Sequence, residues 1–213
     1  MEKRERDNAF FNRIQYKLLM KSPYCFIVEP KNGTRYDNIS FFGNKKLIKS
    51  VSQEDHTATN RFATVLSVPL NYDGKIKTGD VLVVHHNVFR KYYDMKGREK
   101  SGPCHFKDNT YIIERDQIYL YLQNDKWNAV DPYCFIKPIE KIQNDLLSLE
   151  TEEKETGVLF FINDELKKLG LNKGDRVSFL PESEYEFNIS GEKLYRMRTR
   201  NITVKLSKWT QEN

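Results

Sequence analysis

The chain has little of what several function classes require. Three cysteines in 213 residues cannot all pair internally. Cys25 and Cys134 lie in apolar strand-like runs, so they are expected to be small buried hydrophobes in a reducing compartment. No Cys-x-x-Cys pair occurs. The nearest approach to a metal set is His85-His86 with Cys104-His105, and adjacent residues on a strand point to opposite faces, so no metal is expected. There is no Gly-rich phosphate loop, nucleophile elbow or Ser/Cys-His-acid constellation. Acidic pairs such as Glu152-Glu153 fall in polar sequence and read as solvated. The expectation is a non-enzyme without a cofactor. No apolar run approaches bilayer length and no signal-peptide pattern opens the chain, so a soluble, cytoplasmic protein without membrane contact is expected.

Glycine is also sparse, at ten, against thirteen Phe and twelve Tyr, which suits a β-rich protein with small aromatic cores. The net charge of +5 is unevenly shared. Before Trp127 there are 22 Lys and Arg against 15 Asp and Glu (+7), and from there onward 13 against 15 (−2). A basic first half attracts anionic partners and is equally satisfied by a solvated lysine-rich surface.

One pentapeptide occurs twice, Pro23-Tyr24-Cys25-Phe26-Ile27 and Pro132-Tyr133-Cys134-Phe135-Ile136. Each copy is followed by a second shared stretch, Lys77-Thr78-Gly79-Asp80-Val81 and Lys173-Gly174-Asp175-Arg176-Val177, leading into an apolar run. This is an internal duplication, and it fixes the domain count. The expected division is an N-terminal amphipathic helix and extension over 1–22, a first domain over 23–127 and a second over 128–213.

Phe10, Phe11, Ile14, Leu18 and Leu19 recur at helical spacing, on a stripe that packs on the first domain or docks on a partner. Pro23 ends the helix. A first strand is expected over Tyr24–Glu29, with Cys25 and Ile27 on one face. A long polar tract from Pro30 to Asn60 follows, with Leu47-Ile48 and nearby Val51 isolated among polar residues. Such residues are core of their own domain or are reserved for a partner. Gly79-Asp80 and Gly174-Asp175 read as turns, the glycine supplying positive φ and the carboxylate accepting backbone N–H groups. A basic, Tyr-rich insertion spans His85 to Asn109 in copy one only. In copy two, Asn163 to Leu169 is expected to form one or two helical turns stopped by Gly170.

The order of these elements resembles the GroES-type co-chaperonins. Leu146-Leu147-Ser148-Leu149-Glu150 through Gly157-Val158-Leu159 is similar to the family's mobile loop and the strand after it. Leu47-Ile48-Lys49-Ser50-Val51 through Ala63-Thr64-Val65-Leu66 occupies the same place in copy one. Ile76 to Val83 and Leu171 to Val177 match the family's Gly-Asp strand, and Tyr111 to Tyr119 approaches its closing strands. Val68 to Thr78 is too short for the family's roof hairpin, as in roofless bacteriophage variants.

The resemblance implies an all-β chain of two tandem small GroES-like β-barrels with a short N-terminal α-helix. It also implies a homo-oligomer that binds a GroEL-type chaperonin through Leu47, Ile48, Val51, Leu146, Leu147 and Leu149. An alternative keeps the fold and makes the chain a structural protein of a bacteriophage particle, located in the virion and bound to other phage structural proteins. A third reading, nucleic-acid binding, rests on Arg90, Lys91, Lys96, Arg98 and Lys100 interleaved with Phe89, Tyr92 and Tyr93. A solvated hairpin with an aromatic base is preferred for that stretch, and no nucleic acid is expected.

Overall fold

Short runs rich in β-branched and aromatic residues, separated by turns at Gly, Asn and Asp, form nearly all the regular structure. The computed structural model describes residues 20–36, 39–42, 45–48, 59–140 and 152–206, with backbone alone for 39–42 and 45–48. The expected N-terminal helix lies outside the described residues, as does the 49–58 tract. The chain divides into two units, Met1–Gln123 and Asn124–Asn213.

The first unit contains β1 (Phe26–Pro30), β2 (Ile39–Phe42), β3 (Lys45–Ile48), β4 (Phe62–Ser67), β5 (Val81–Val84), β6 (Lys91–Tyr93), β7 (Glu99–Ser101), β8 (His105–Lys107), β9 (Thr110–Ile113) and β10 (Ile118–Gln123). The second contains β11 (Lys126–Ala129), β12 (Tyr133–Glu140), β13 (Glu152–Phe161), helix α1 (Asp164–Lys168), β14 (Arg176–Phe179), β15 (Tyr185–Ile189), β16 (Glu192–Arg198) and β17 (Ile202–Leu206). The fold is all-β with antiparallel pairing. Among the described residues neither main sheet closes on itself, since β8 pairs with neither β10 nor the strand β11 beyond it, and β15 does not pair with β17.

The duplication is written into the pairing. In the first unit the order β10-β5-β4-β1-β9-β8 repeats, strand for strand, as β17-β14-β13-β12-β16-β15 in the second. The Gly-Asp turns coincide in detail. Gly79 and Gly174 both have φ 93°. Gly79 N donates to Val65 O at 2.8 Å and Gly174 N to Leu159 O at 2.8 Å. Each aspartate closes its turn by accepting a backbone N–H, Lys77 N to Asp80 Oδ2 and Asn172 N to Asp175 Oδ2, both at 2.8 Å. The last turns match too, with His85 N on Gln117 O and Leu180 N on Asn201 O, both at 2.9 Å.

Those matches correct the equivalence expected from the repeated pentapeptide. Val65 pairs with Val28, whereas Leu159 pairs with Ile136. Val28 therefore corresponds to Ile136, Ile27 to Phe135 and Phe26 to Cys134, one residue out of step with the identical letters. Pro30 and Pro138 do coincide, opposite Ala63 and Gly157. The chain covers seven steps from Pro23 to Pro30 and only six from Pro132 to Pro138, so the two copies enter differently. In the first unit, Cys25 N bonds to Ser22 Oγ at 3.1 Å before the strand begins at Phe26. As a result Tyr24 is 78 % exposed while Tyr133 is 4 % exposed. Cys134 lies inside β12, and Cys25 is half-buried outside β1.

Each sheet packs its inward residues into its own core. In the second unit Cys134, Ile136, Leu159, Leu166, Val177, Phe179 and Met197 form one cluster. Leu166 reaches it from α1, whose N-cap Asn163 is itself buried, accepting from Leu166 N at 2.9 Å and donating to Thr199 Oγ1 at 2.7 Å. Phe26, Val28, Val65, Leu82, Val84 and Ile113 are the corresponding buried residues of the first unit. Each such side chain withdrawn from water contributes about 1.5–3 kcal/mol.

Candidate functional site

The repeat places one long connection at the same point of each unit, between β1 and β4 in the first and between β12 and β13 in the second. These connections carry the expected contact residues. Leu47 and Ile48 lie on β3, whose backbone pairs with β2 at Ser40 and Ile39. The long polar tract therefore contains a β-hairpin. Val51, Leu146, Leu147 and Leu149 lie outside the described residues. Gly79, Asp80, Gly174 and Asp175 occupy the turns expected of them.

The base of the first connection is held by side chains the sequence did not single out. Tyr36 forms an antiparallel bridge with Thr59 across it. Asn60, buried, donates to Lys31 O at 3.1 Å and to Thr34 O at 2.8 Å, while its Oδ1 accepts from Phe62 N at 2.9 Å. Arg35 ties this base to the second insertion. Its Nε donates to Phe89 O at 2.9 Å, and its two terminal nitrogens to Ser101 Oγ at 3.1 Å and Arg90 O at 3.2 Å. The guanidinium also sits 5.5 Å from the centroid of the Tyr111 ring. Lys91 N donates to Tyr36 Oη at 2.7 Å, and Asn109 Nδ2 to Gly33 O at 3.0 Å. The two insertions of copy one are thus one structure. Phe89 and Tyr111 meet edge to face beneath it at 4.8 Å, and burial pushes the Tyr111 phenol upward against the lowering pull of Arg35.

The second connection leaves from Glu140 and returns at Glu152, which pair across it. Glu152 accepts from Lys193 Nζ at 2.7 Å and from the Tyr195 hydroxyl. Burial alone would raise the Glu152 carboxyl, but the hydrogen bonds from Lys193 and Tyr195 outweigh it and hold the group below its usual range. The same bond to Glu152 raises Lys193, while burial and the neighbouring carboxylate raise Tyr195. Glu153 pairs with Arg176 beside them. The Glu152-Glu153 pair, expected to be solvated, is an anchor of ion pairs at the loop base. The signal available in the sequence was its place on an alternating run facing Lys193 and Tyr195, legible only once the register was known.

The remaining candidates are separated by their own contacts. His85 Nδ1 accepts from Asn87 N at 3.1 Å, and the His85 and His86 rings stack at 4.2 Å. Cys104 Sγ lies 3.3 Å from Gln117 Nε2, and His105 Nε2 lies 2.8 Å from Asp108 O. Among the described residues no three His, Cys, Asp or Glu side chains converge as a metal site. The Lys91–Tyr93 and Glu99–Ser101 strands form the expected hairpin, with Lys91 ion-paired to Glu99 at 2.6 Å and Arg98 to Asp94 at 3.4 Å. No described helix is long and apolar enough to cross a membrane. No protein-family model matches this chain, and no curated protein matches it significantly in sequence.

Proposed function

We propose that the chain is a non-enzymatic co-chaperonin-like protein, built from two GroES-like units, that binds a chaperonin through the connections following β1 and β12. The observation that carries this reading is the repeated strand order with one long, apolar-bearing connection at the same place in each unit. In this reading Leu47, Ile48 and Val51, and in the second unit Leu146, Leu147 and Leu149, enter apolar grooves of the partner. Each large aliphatic side chain buried contributes about 1.5–3 kcal/mol. Ordering a connection costs about 2–5 kcal/mol, which keeps a single contact weak and reversible. A homo-oligomer presenting several connections raises the avidity. Pull-down with a GroEL-type chaperonin and ATP tests the reading. Capture of the wild type and its loss in the Leu146→Ser/Leu149→Ser double variant are expected; undiminished capture of the variant refutes the loop assignment.

A second reading, a structural component of a bacteriophage particle, draws on the copy-one insertions, which leave Tyr92, Tyr93, Met95 and Phe106 exposed. Stoichiometric recovery of the protein from purified virions is its test, and absence from them removes it.

A further inference from the structure

A cleft of about 540 Å³ opens in the second unit between the start of β11, the end of β13, the Lys173 turn and the β15–β16 turn. Its size falls within the range of about 300–1,000 Å³ typical of small-molecule sites. Trp127, Phe160 and Phe161 supply its aromatic walls. Phe160 meets Phe161 edge to face at 4.8 Å, and Phe161 meets the fully buried Phe135 at 6.0 Å, so the phenylalanine wall is backed by the core.

The charges of the lining decide what it suits. Lys167 is engaged by Asp164 at 3.1 Å, and Glu192 by Lys137 at 2.6 Å. That leaves Lys126 and Lys173 against Asp125, an excess of positive charge. Lys173 Nζ lies 4.6 Å from the Phe160 centroid, so one aromatic face already has its cation. A cationic ligand would meet repulsion there, and a purely apolar one would desolvate two ammonium groups without compensation. Asn128 and Ser190 add amide and hydroxyl groups to the same lining.

We propose that this cleft binds a planar aromatic anion with the chemistry of a nucleoside monophosphate. The ring stacks on Trp127 and packs against the edges of Phe160 and Phe161, the anionic group meets Lys126 and Lys173, and the ring edge bonds to Asn128 and Ser190. The site is independent of the loop contacts and of the chaperonin reading, and it requires no reaction.

The full chain carrying Trp209→Phe leaves Trp127 as its one tryptophan, a fluorophore inside the cleft. Titration with AMP is expected to quench it saturably, and adenosine and inorganic phosphate to bind at least about tenfold more weakly, a difference of about 1.4 kcal/mol. Lys173→Gln, at an exposed position, is expected to weaken AMP about tenfold and leave adenosine unchanged. Phe160→Leu is expected to weaken both, with an unchanged thermal melt as the check on folding. Three results overturn the proposal: no saturable quenching by millimolar AMP, competition by phosphate equal to that of AMP, or full AMP affinity in Lys173→Gln.

Discussion

Arg35→Ala removes the side chain that makes three of the hydrogen bonds between the two insertions of the first unit. Three hydrogen bonds from a charged donor are lost, to Phe89 O, Arg90 O and Ser101 Oγ. A bond to a charged group is worth about 1.5–3 kcal/mol net. Arg35 is half-buried, so water replaces part of each bond and the low end of the range applies. Loss of the Tyr111 contact adds about 0.5–1 kcal/mol. Because bonds sharing one side chain do not add fully, the expected local destabilisation is about 3–4 kcal/mol. At tenfold per 1.4 kcal/mol, amide exchange should accelerate by more than about a hundredfold where local opening governs it. Hydrogen exchange read by mass spectrometry is the assay, with peptides from 85–109 and 59–62 as reporters and those of the second unit as internal control. Arg35→Lys, which keeps the charge with a single nitrogen, should recover no more than about a third of the protection. Acceleration of less than about fivefold, or equal acceleration in both units, would refute the clamp.

Gly79→Ala and Gly174→Ala should each cost about 1–2 kcal/mol and by matching amounts, since both need left-handed backbone and neither added Cβ meets an atom within 4 Å; chemical denaturation of the two single variants checks this. Cys25 should label first with iodoacetamide under native conditions, and Cys104 and Cys134 only after unfolding, because both are buried and burial pushes the Cys134 thiol up to about 12; peptide mapping of the alkylated protein decides it. The Glu152 carboxyl is lowered, so its contribution is whole above the ordinary value of about 4.3 and is lost as pH falls through the lowered one. Lys193 is raised, so its contribution is whole below about 10.4 and is lost only as pH climbs through the raised value. Thermal melts should lose more stability between neutral pH and pH about 3 in the wild type than in Glu152→Gln.

Much of the strand content was legible, because alternation and turn chemistry are local. The strand expected over Tyr24–Glu29 is present as Phe26–Pro30, and the helical turns expected over Asn163 to Leu169 are Asp164–Lys168, capped by Asn163 and ended at Gly170. The duplication was legible for a different reason, the recurrence of Gly-Asp turns whose geometry admits few other residues. The identical pentapeptide misled at the level of register. Strand pairing is set by the partners and by where the chain enters, and the unequal spacing of Pro23–Pro30 and Pro132–Pro138 was the signal that the letters slide by one. Arg35, Asn60 and the Glu152-Lys193-Tyr195 cluster were not legible, since each acts across long sequence separations with no periodic signature. The hairpin of β2 and β3 escaped because four-residue strands in polar sequence carry too few alternations to register.

In the proposed function the connections after β1 and β12 contact a chaperonin. Hydrogen exchange of the full chain, with and without a GroEL-type chaperonin and ATP, tests it most directly. Slowed exchange is expected in peptides covering 141–151 and 43–58 on complex formation, abolished by Leu146→Ser/Leu149→Ser in the first of these. Binding that slows exchange elsewhere and leaves both segments unchanged would contradict it.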